Sequence, residues 1–229
     1  MEPTSSVGAP RVFSAWSSRA RQALQAVLGA MAVFMVLVWG APTMAGETAT
    51  EAMRSTITEV FRILENGELK KPEQAEERRR QLDKVIGDRI SYEEMAKRSL
   101  GPYWKNLSDD ERQEFVGLFA ALLSDLVANK LNQYTDEQVK FLDERLEGSY
   151  AEVRSRLRGS KVDITLSYRL VNGSGEWRMY DVLMDGISMV GNYRVQFTKI
   201  IQASSYADLV EQLRQKSLNR KYVRKTAAS

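Results

Sequence analysis

Trp177–Phe197, WRMYDVLMDGISMVGNYRVQF, is the stretch whose reading decides the fold. It reads as a last β-strand to Met184, a sharp Asp185-Gly186 turn, a short apolar hop from Ile187 to Val190, and the start of a helix. Trp177, Met179 and Leu183 are expected on one strand face, with Tyr180, Val182 and Met184 on the other. A strand apolar on both faces is covered on both, by helix, partner or ligand. Beyond it, Tyr193, Phe197, Ile200 and Ile201 recur at helical spacing, and a second helix from about Tyr206 to Leu218 carries Leu209, Val210 and Leu213.

Upstream, Val139 to Leu146, Tyr150 to Leu157, Val162 to Val171 and Glu176 to Met184 read as four strands. Gly148-Ser149, Gly159-Ser160 and Asn172-Gly173-Ser174-Gly175 join them. Links this short require antiparallel neighbours, hence a meander. In the third strand Val162, Ile164, Leu166, Tyr168 and Leu170 alternate with Asp163, Thr165, Ser167 and Arg169.

Everything before the strands is helical in period. Met53, Ile57, Val60, Phe61 and Leu64 mark an amphipathic helix ended by Asn66-Gly67. Pro72 opens a second, with Leu82, Val85 and Ile86 as its apolar positions. Glu76-Glu77-Arg78-Arg79-Arg80 is a solvated face, its opposite charges side by side. Ser91 with Glu94, and Ser108 with Glu111, have the spacing of capping boxes. The carboxylates of Asp109-Asp110-Glu111 suit the unpaired N–H groups and positive dipole of a helix start better than a metal. The helix that follows shows Phe115, Leu118, Phe119, Leu122, Leu126 and Val127, widened by Leu123 and Leu131, and ends near Asn132, with Tyr134 in the loop.

The N-terminus is a segment of another kind. Residues 1–21 hold Arg11, Arg19 and Arg21 against Glu2, an uncharged run extends from Ala23 to Trp39, and Thr43-Met44-Ala45 supplies small residues for a cut after Ala45. This is the layout of a signal peptide over 1–45. The run is near the lower limit of roughly 17 residues for a spanning helix, which leaves an uncleaved anchor as the alternative. Either way the remainder faces an extracytoplasmic compartment. It keeps 30 basic and 29 acidic residues, a net charge of +1, so the basic pI of the whole chain is weak support for nucleic acid. From Arg214 to Lys225 there are six basic residues and no acid, expected as a frayed, solvated tail with weak attraction to anionic headgroups as the sharper option. The chain has no Cys and no His, which removes the usual zinc, haem and copper ligands and every triad that needs imidazole or thiol.

Helices, then an antiparallel meander, then helices make an α+β domain in which a curved sheet wraps a helical layer around an apolar cavity. Two stretches, LGPYWKNLSDDERQEFVGLFAALLSDL (Leu100–Leu126) and the opening Trp177–Phe197, resemble the MlaC family, also known as toluene-tolerance or Mla auxiliary proteins. The resemblance covers nearly the whole chain after residue 45, although the stretch before the apolar run is longer than in typical members. It implies a periplasmic, soluble phospholipid carrier with an NTF2-like cup and no cofactor other than its lipid cargo. Its implied partners are an inner-membrane ABC transporter carrying an MCE-domain protein and an outer-membrane lipoprotein complex. The implied role is the maintenance of outer-membrane lipid asymmetry, with only transient membrane contact. One branch is associated with hopanoids. The corresponding division is a signal peptide at 1–45, a lipid-binding domain at 46–218 and a basic tail at 219–229.

Large apolar side chains outnumber what one sheet–helix interface needs, which makes Phe119, Leu122, Leu126, Leu166, Tyr168, Met179, Leu183, Met189, Tyr193 and Phe197 the candidate lipid-binding wall. The competing reading is a cup-fold isomerase or dehydratase. In it Asp181 or Asp185, four apart on one strand face, serves as base, and Tyr180 or Tyr168 as donor. Against it, Asp185 is a turn residue before Gly186, and Asp181 a partner for Arg178 or Arg194. A third reading, an adaptor without ligand, predicts an exposed apolar patch instead of a cavity.

Overall fold

The computed structural model describes residues 46–131, 136–173 and 175–227; residues 1–45, expected as a signal peptide, and Tyr134 lie outside them. Four helices come first: α1 (Ala49–Glu65), α2 (Ala75–Arg89), α3 (Tyr92–Leu100) and α4 (Asp109–Leu131). The strands follow as β1 (Gln138–Glu147), β2 (Tyr150–Arg158), β3 (Asp163–Asn172), β4 (Trp177–Met184) and β5 (Ile187–Ser188). Helices α5 (Met189–Ala203) and α6 (Tyr206–Ala227) close the chain. The α+β order is as expected, and the sheet is an antiparallel meander in the order β1-β2-β3-β4-β5. It has five strands and not four, because the apolar hop after Gly186 pairs back on β4 through Leu183–Ser188 and Met184–Ile187. Asp185 (φ 47°) and Gly186 (φ 82°) both have positive φ, the two-residue hairpin geometry that matches strand twist.

Two caps differ in outcome. Ser108 and Glu111 form their box: the Ser108 N–H donates to Glu111 at 2.8 Å and the Glu111 N–H to Ser108 Oγ at 3.3 Å. Ser91 forms none. Its N–H is taken by the Met179 carbonyl (2.9 Å), part of a short parallel bridge between Ile90 and β4, and Glu94 pairs with Arg98 instead. A box missed in the sequence, Thr48 with Glu51, starts α1. The charged run on α2 is also not wholly solvated, since Arg79 reaches the buried Asp125 of α4 at 2.8 Å. At the other end the backbone stays helical to Ala227, where a frayed tail was expected.

β4 departs from simple alternation. Leu170 pairs with Met179 but Arg169 with Asp181, so Tyr180 is an inserted, bulged residue. The bulge turns the strand over. Trp177, Met179 and Val182 join the face packed on α1, while Asp181 and Leu183 point the other way, opposite Arg169 and Ser167. Met179 and Leu183 therefore do not share a face.

Burial divides into two main clusters. Ala49, Ala52 and Met53 of α1 lie on Ala151, Val153, Tyr168, Leu170 and Trp177, and the two alanines let helix and sheet approach closely. Phe115, Phe119 and Leu123 of α4 pack with Met95, Leu100, Trp104, Phe197, Leu209 and Leu213 from the other helices. Met179 touches both clusters.

Candidate functional site

The helical cluster is open on one side. A groove of about 410 Å³ runs among α4, α5, α6 and the β4–β5 hairpin, within the usual range of about 300–1,000 Å³ for ligand sites. Each helix contributes by its period: Leu122 and Leu126 from α4, Met189, Tyr193, Phe197 and Ile200 from α5, Leu209 and Leu213 from α6. Met184 and Ile187, 45% and 69% exposed, form an apolar lip at the hairpin. The floor is aromatic. Phe119 stacks on Phe115 (5.9 Å between centroids) and meets Tyr193 (5.3 Å) and Phe197 (5.7 Å) edge-on.

Asp181 sets the angle of the α5 wall. Ser188, the N-cap of α5, donates its hydroxyl to Asp181 Oδ2 at 2.6 Å and accepts from the Gly191 N–H at 2.8 Å. The Val190 N–H donates to Asp181 Oδ1 at 3.0 Å. One buried carboxylate thus ties strand to helix start, where negative charge is favoured. Its cationic neighbour is Arg169 at 3.8 Å, not Arg178, which pairs with Glu176, nor Arg194. Asp185 accepts from the Thr165 N–H at 2.8 Å and fixes the hairpin. The two aspartates serve separate structural tasks and share no site.

The ten candidate residues separate. Leu122, Leu126, Met189, Tyr193 and Phe197 meet around the groove, and Phe119 lies directly beneath. Leu166 and Tyr168 pack on the α1 side of the sheet; Met179 bridges both clusters; Leu183 is buried opposite Ser188. Leu166 stands opposite the lip residue Met184 in the strand register. Burial pushes the Tyr168 phenol upward in pKa, and Ser155 donates to it at 3.4 Å. Tyr180 is also raised, by burial first, with the Arg98 guanidinium 4.2 Å from its ring centre. The α6 wall residues Leu209 and Leu213 stood out in the sequence only as helix periodicity, and Met184 and Ile187 only as strand and turn residues.

The two stretches quoted for the family resemblance meet at this site. Gly101 has φ 58°, and a Cβ there would sit 2.5–2.9 Å from the Arg194 guanidinium, so the α5 arginine lies flat on the turn after α3. Among the described residues no group of three or more acidic side chains is placed to hold a metal, and no helix is long and apolar enough to cross a membrane.

The family model described as MlaC protein matches residues 54–215. The intermembrane phospholipid transport system binding protein MlaC of Haemophilus influenzae is 23% identical over 132 residues, a match that covers 55% of this chain and 62% of that protein. The chain thus spans less than two thirds of that relative's length. The solved structure of a phospholipid-binding protein from Ralstonia solanacearum, in complex with a phospholipid, superposes with a TM-score of 0.65 at 19% identity. It covers 76% of this chain and 98% of its own, and at that identity it speaks for the fold.

Proposed function

Because the chain belongs to the MlaC family, we propose that it binds phospholipid acyl chains in the groove among α4, α5 and α6 and carries them through the periplasm. The observation that carries this reading is the groove itself: an aromatic floor, aliphatic walls from three helices, and, among the described residues, no carboxylate in its lining. Each methylene moved from water into such a lining is worth about 0.8 kcal/mol, so a lipid tail is held without special chemistry. The reading as a carrier and not an enzyme is supported by Asp181 and Asp185, whose oxygens are engaged in holding a helix start and a hairpin. In this proposal residues 1–45 are an export signal cut after Ala45, 46–218 the lipid-binding domain and 219–229 a basic end. Lipid passes between an inner-membrane ABC transporter with an MCE-domain protein and an outer-membrane lipoprotein complex, to keep the outer membrane asymmetric.

Native mass spectrometry of protein purified without detergent tests it. Lipid retained at near one per chain is the expected result. A well-folded chain that arrives empty and takes up nothing from vesicles overturns the proposal.

A further inference from the structure

The α5 wall is fastened unevenly along its length. From Tyr193 onward its rings fix it: Tyr193 on Phe119 (5.3 Å between centroids), and Phe197 on Phe115 and Phe119 (5.7 Å each). The stretch before that is held by much less. β5 is two residues long and joins β4 only through Leu183–Ser188 and Met184–Ile187. Ile187 is 69% exposed, and Ile187, Ser188 and Met189 all border the groove. Val190, the next residue, is buried again. A short flap, Ile187 to Met189, thus lies at the groove between the Asp185-Gly186 turn, with its positive φ angles, and a buried anchor.

One side chain fastens this flap. The Ser188 hydroxyl donates to Asp181 Oδ2 at 2.6 Å, and its oxygen accepts from the Gly191 N–H at 2.8 Å. Position 191 is fitted to that contact. A Cβ on Gly191 would stand 3.0 Å from Ser188 Oγ and 3.2 Å from its Cβ, closer than ordinary van der Waals contact. The other Asp181 oxygen is engaged independently, by the Val190 N–H at 3.0 Å.

Resting on the carrier reading, we infer that Asp181 and Ser188 are positioning residues that latch this flap. They set how fast a lipid tail passes the lip, and not how much lipid the groove holds. Holding is left to Leu122, Phe197 and Leu213, none of which the latch touches. Lifting Ser188 costs its two hydrogen bonds and a two-residue ladder, whereas the rings of α5 stay packed. Such a segment, with few buried contacts, belongs to the part of a fold that opens locally. Val190 keeps Asp181 in place while the flap is up, so the carboxylate stands ready to take the hydroxyl back. A hydrogen bond to a charged group is of the stronger kind, which makes this single bond the main barrier.

Protein loaded with phosphatidylglycerol is mixed with vesicles of chain-deuterated phosphatidylglycerol, and native mass spectrometry follows the mass change with time. Ser188→Ala should exchange about tenfold faster than the wild type, the rate equivalent of one hydrogen bond to a charged group, with the loaded fraction retained. Ser188→Thr keeps a hydroxyl and should restore the slow rate. Gly191→Ala leaves both partners present but crowds the Ser188 oxygen, so its rate should fall between those of Ser188→Ala and the wild type. Ser108→Ala removes the same kind of cap from the start of α4, outside the groove lining, and should not change the rate. Wild-type rates in both Ser188→Ala and Gly191→Ala, or equal acceleration in Ser188→Ala and Ser108→Ala, overturn the latch and leave the carrier reading standing. A lower loaded fraction in Ser188→Ala at unchanged rate overturns it too, since Ser188 is then a contact of the lipid. A wild type that takes up neither lipid removes the carrier reading, and the latch with it.

Discussion

The two clusters either side of β4 are built from similar residues and close differently. On the α1 side, Ala49 and Ala52 bring helix and sheet together, and Val153 and Leu170 are sealed completely. On the helical side, the floor is just as well packed, with Phe115 and Phe119 fully buried, yet a groove lined by three helices lies above it. The difference lies less in hydrophobicity than in size: alanines stand where α1 meets the sheet, whereas leucines and aromatics make up the helical side. That trough, and not the sheet surface, collects five of the ten predicted wall residues.

Four experiments press on this division. Phe119→Ala should cost about 3–5 kcal/mol in urea unfolding, since it empties the aromatic floor; a loss below 1 kcal/mol would mean the floor is not structural at all. Leu122→Arg should abolish lipid loading with the fold intact, whereas Leu166→Arg places a charge against the α1 face and should lower stability by about 1–3 kcal/mol. Should Leu166→Arg instead lose lipid while melting normally, the tail extends onto the sheet and the two regions act as one site. Gly101→Ala should destabilise by about 1–3 kcal/mol, because a side chain must adopt positive φ beneath Arg194. The smallest effect belongs to Tyr206, whose phenol is pushed up to about 12, by burial first and then by Glu111 and Glu114. With its folded pKa raised above the ordinary 10.0, its contribution is complete below pH 10 and is lost as the pH climbs from there toward about 12. Alkaline melting curves of Tyr206→Phe should therefore decline less steeply in that window; identical slopes would show that the phenol titrates normally.

Much of the fold was legible because period and punctuation suffice for long elements. Three features were not, each for a physical reason. The bulge at Tyr180 is a property of pairing, invisible until β3 supplies a partner, and it misassigned the faces of Leu183 and Val182. β5 is two residues long, too short for alternation to register. Ser91 has a perfect capping spacing, but its N–H is worth more to the Met179 carbonyl than to a side chain. At the site, Leu122, Tyr193 and Phe197 could be found by size and period. The part that Leu209 and Leu213 play could not, since a periodic apolar residue becomes a groove wall only when other helices face it.

The packing of the tryptophans supplies an optical handle. Of the four in the chain, Trp104 sits in the helical cluster and Trp177 in the sheet cluster, each 7% exposed, and the Trp177 indole donates to the Glu47 carbonyl at 2.9 Å. In protein lacking residues 1–45, Trp104→Phe and Trp177→Phe each leave a single emitter. The pair of emission curves then records whether the trough and the sheet melt in one transition or in two.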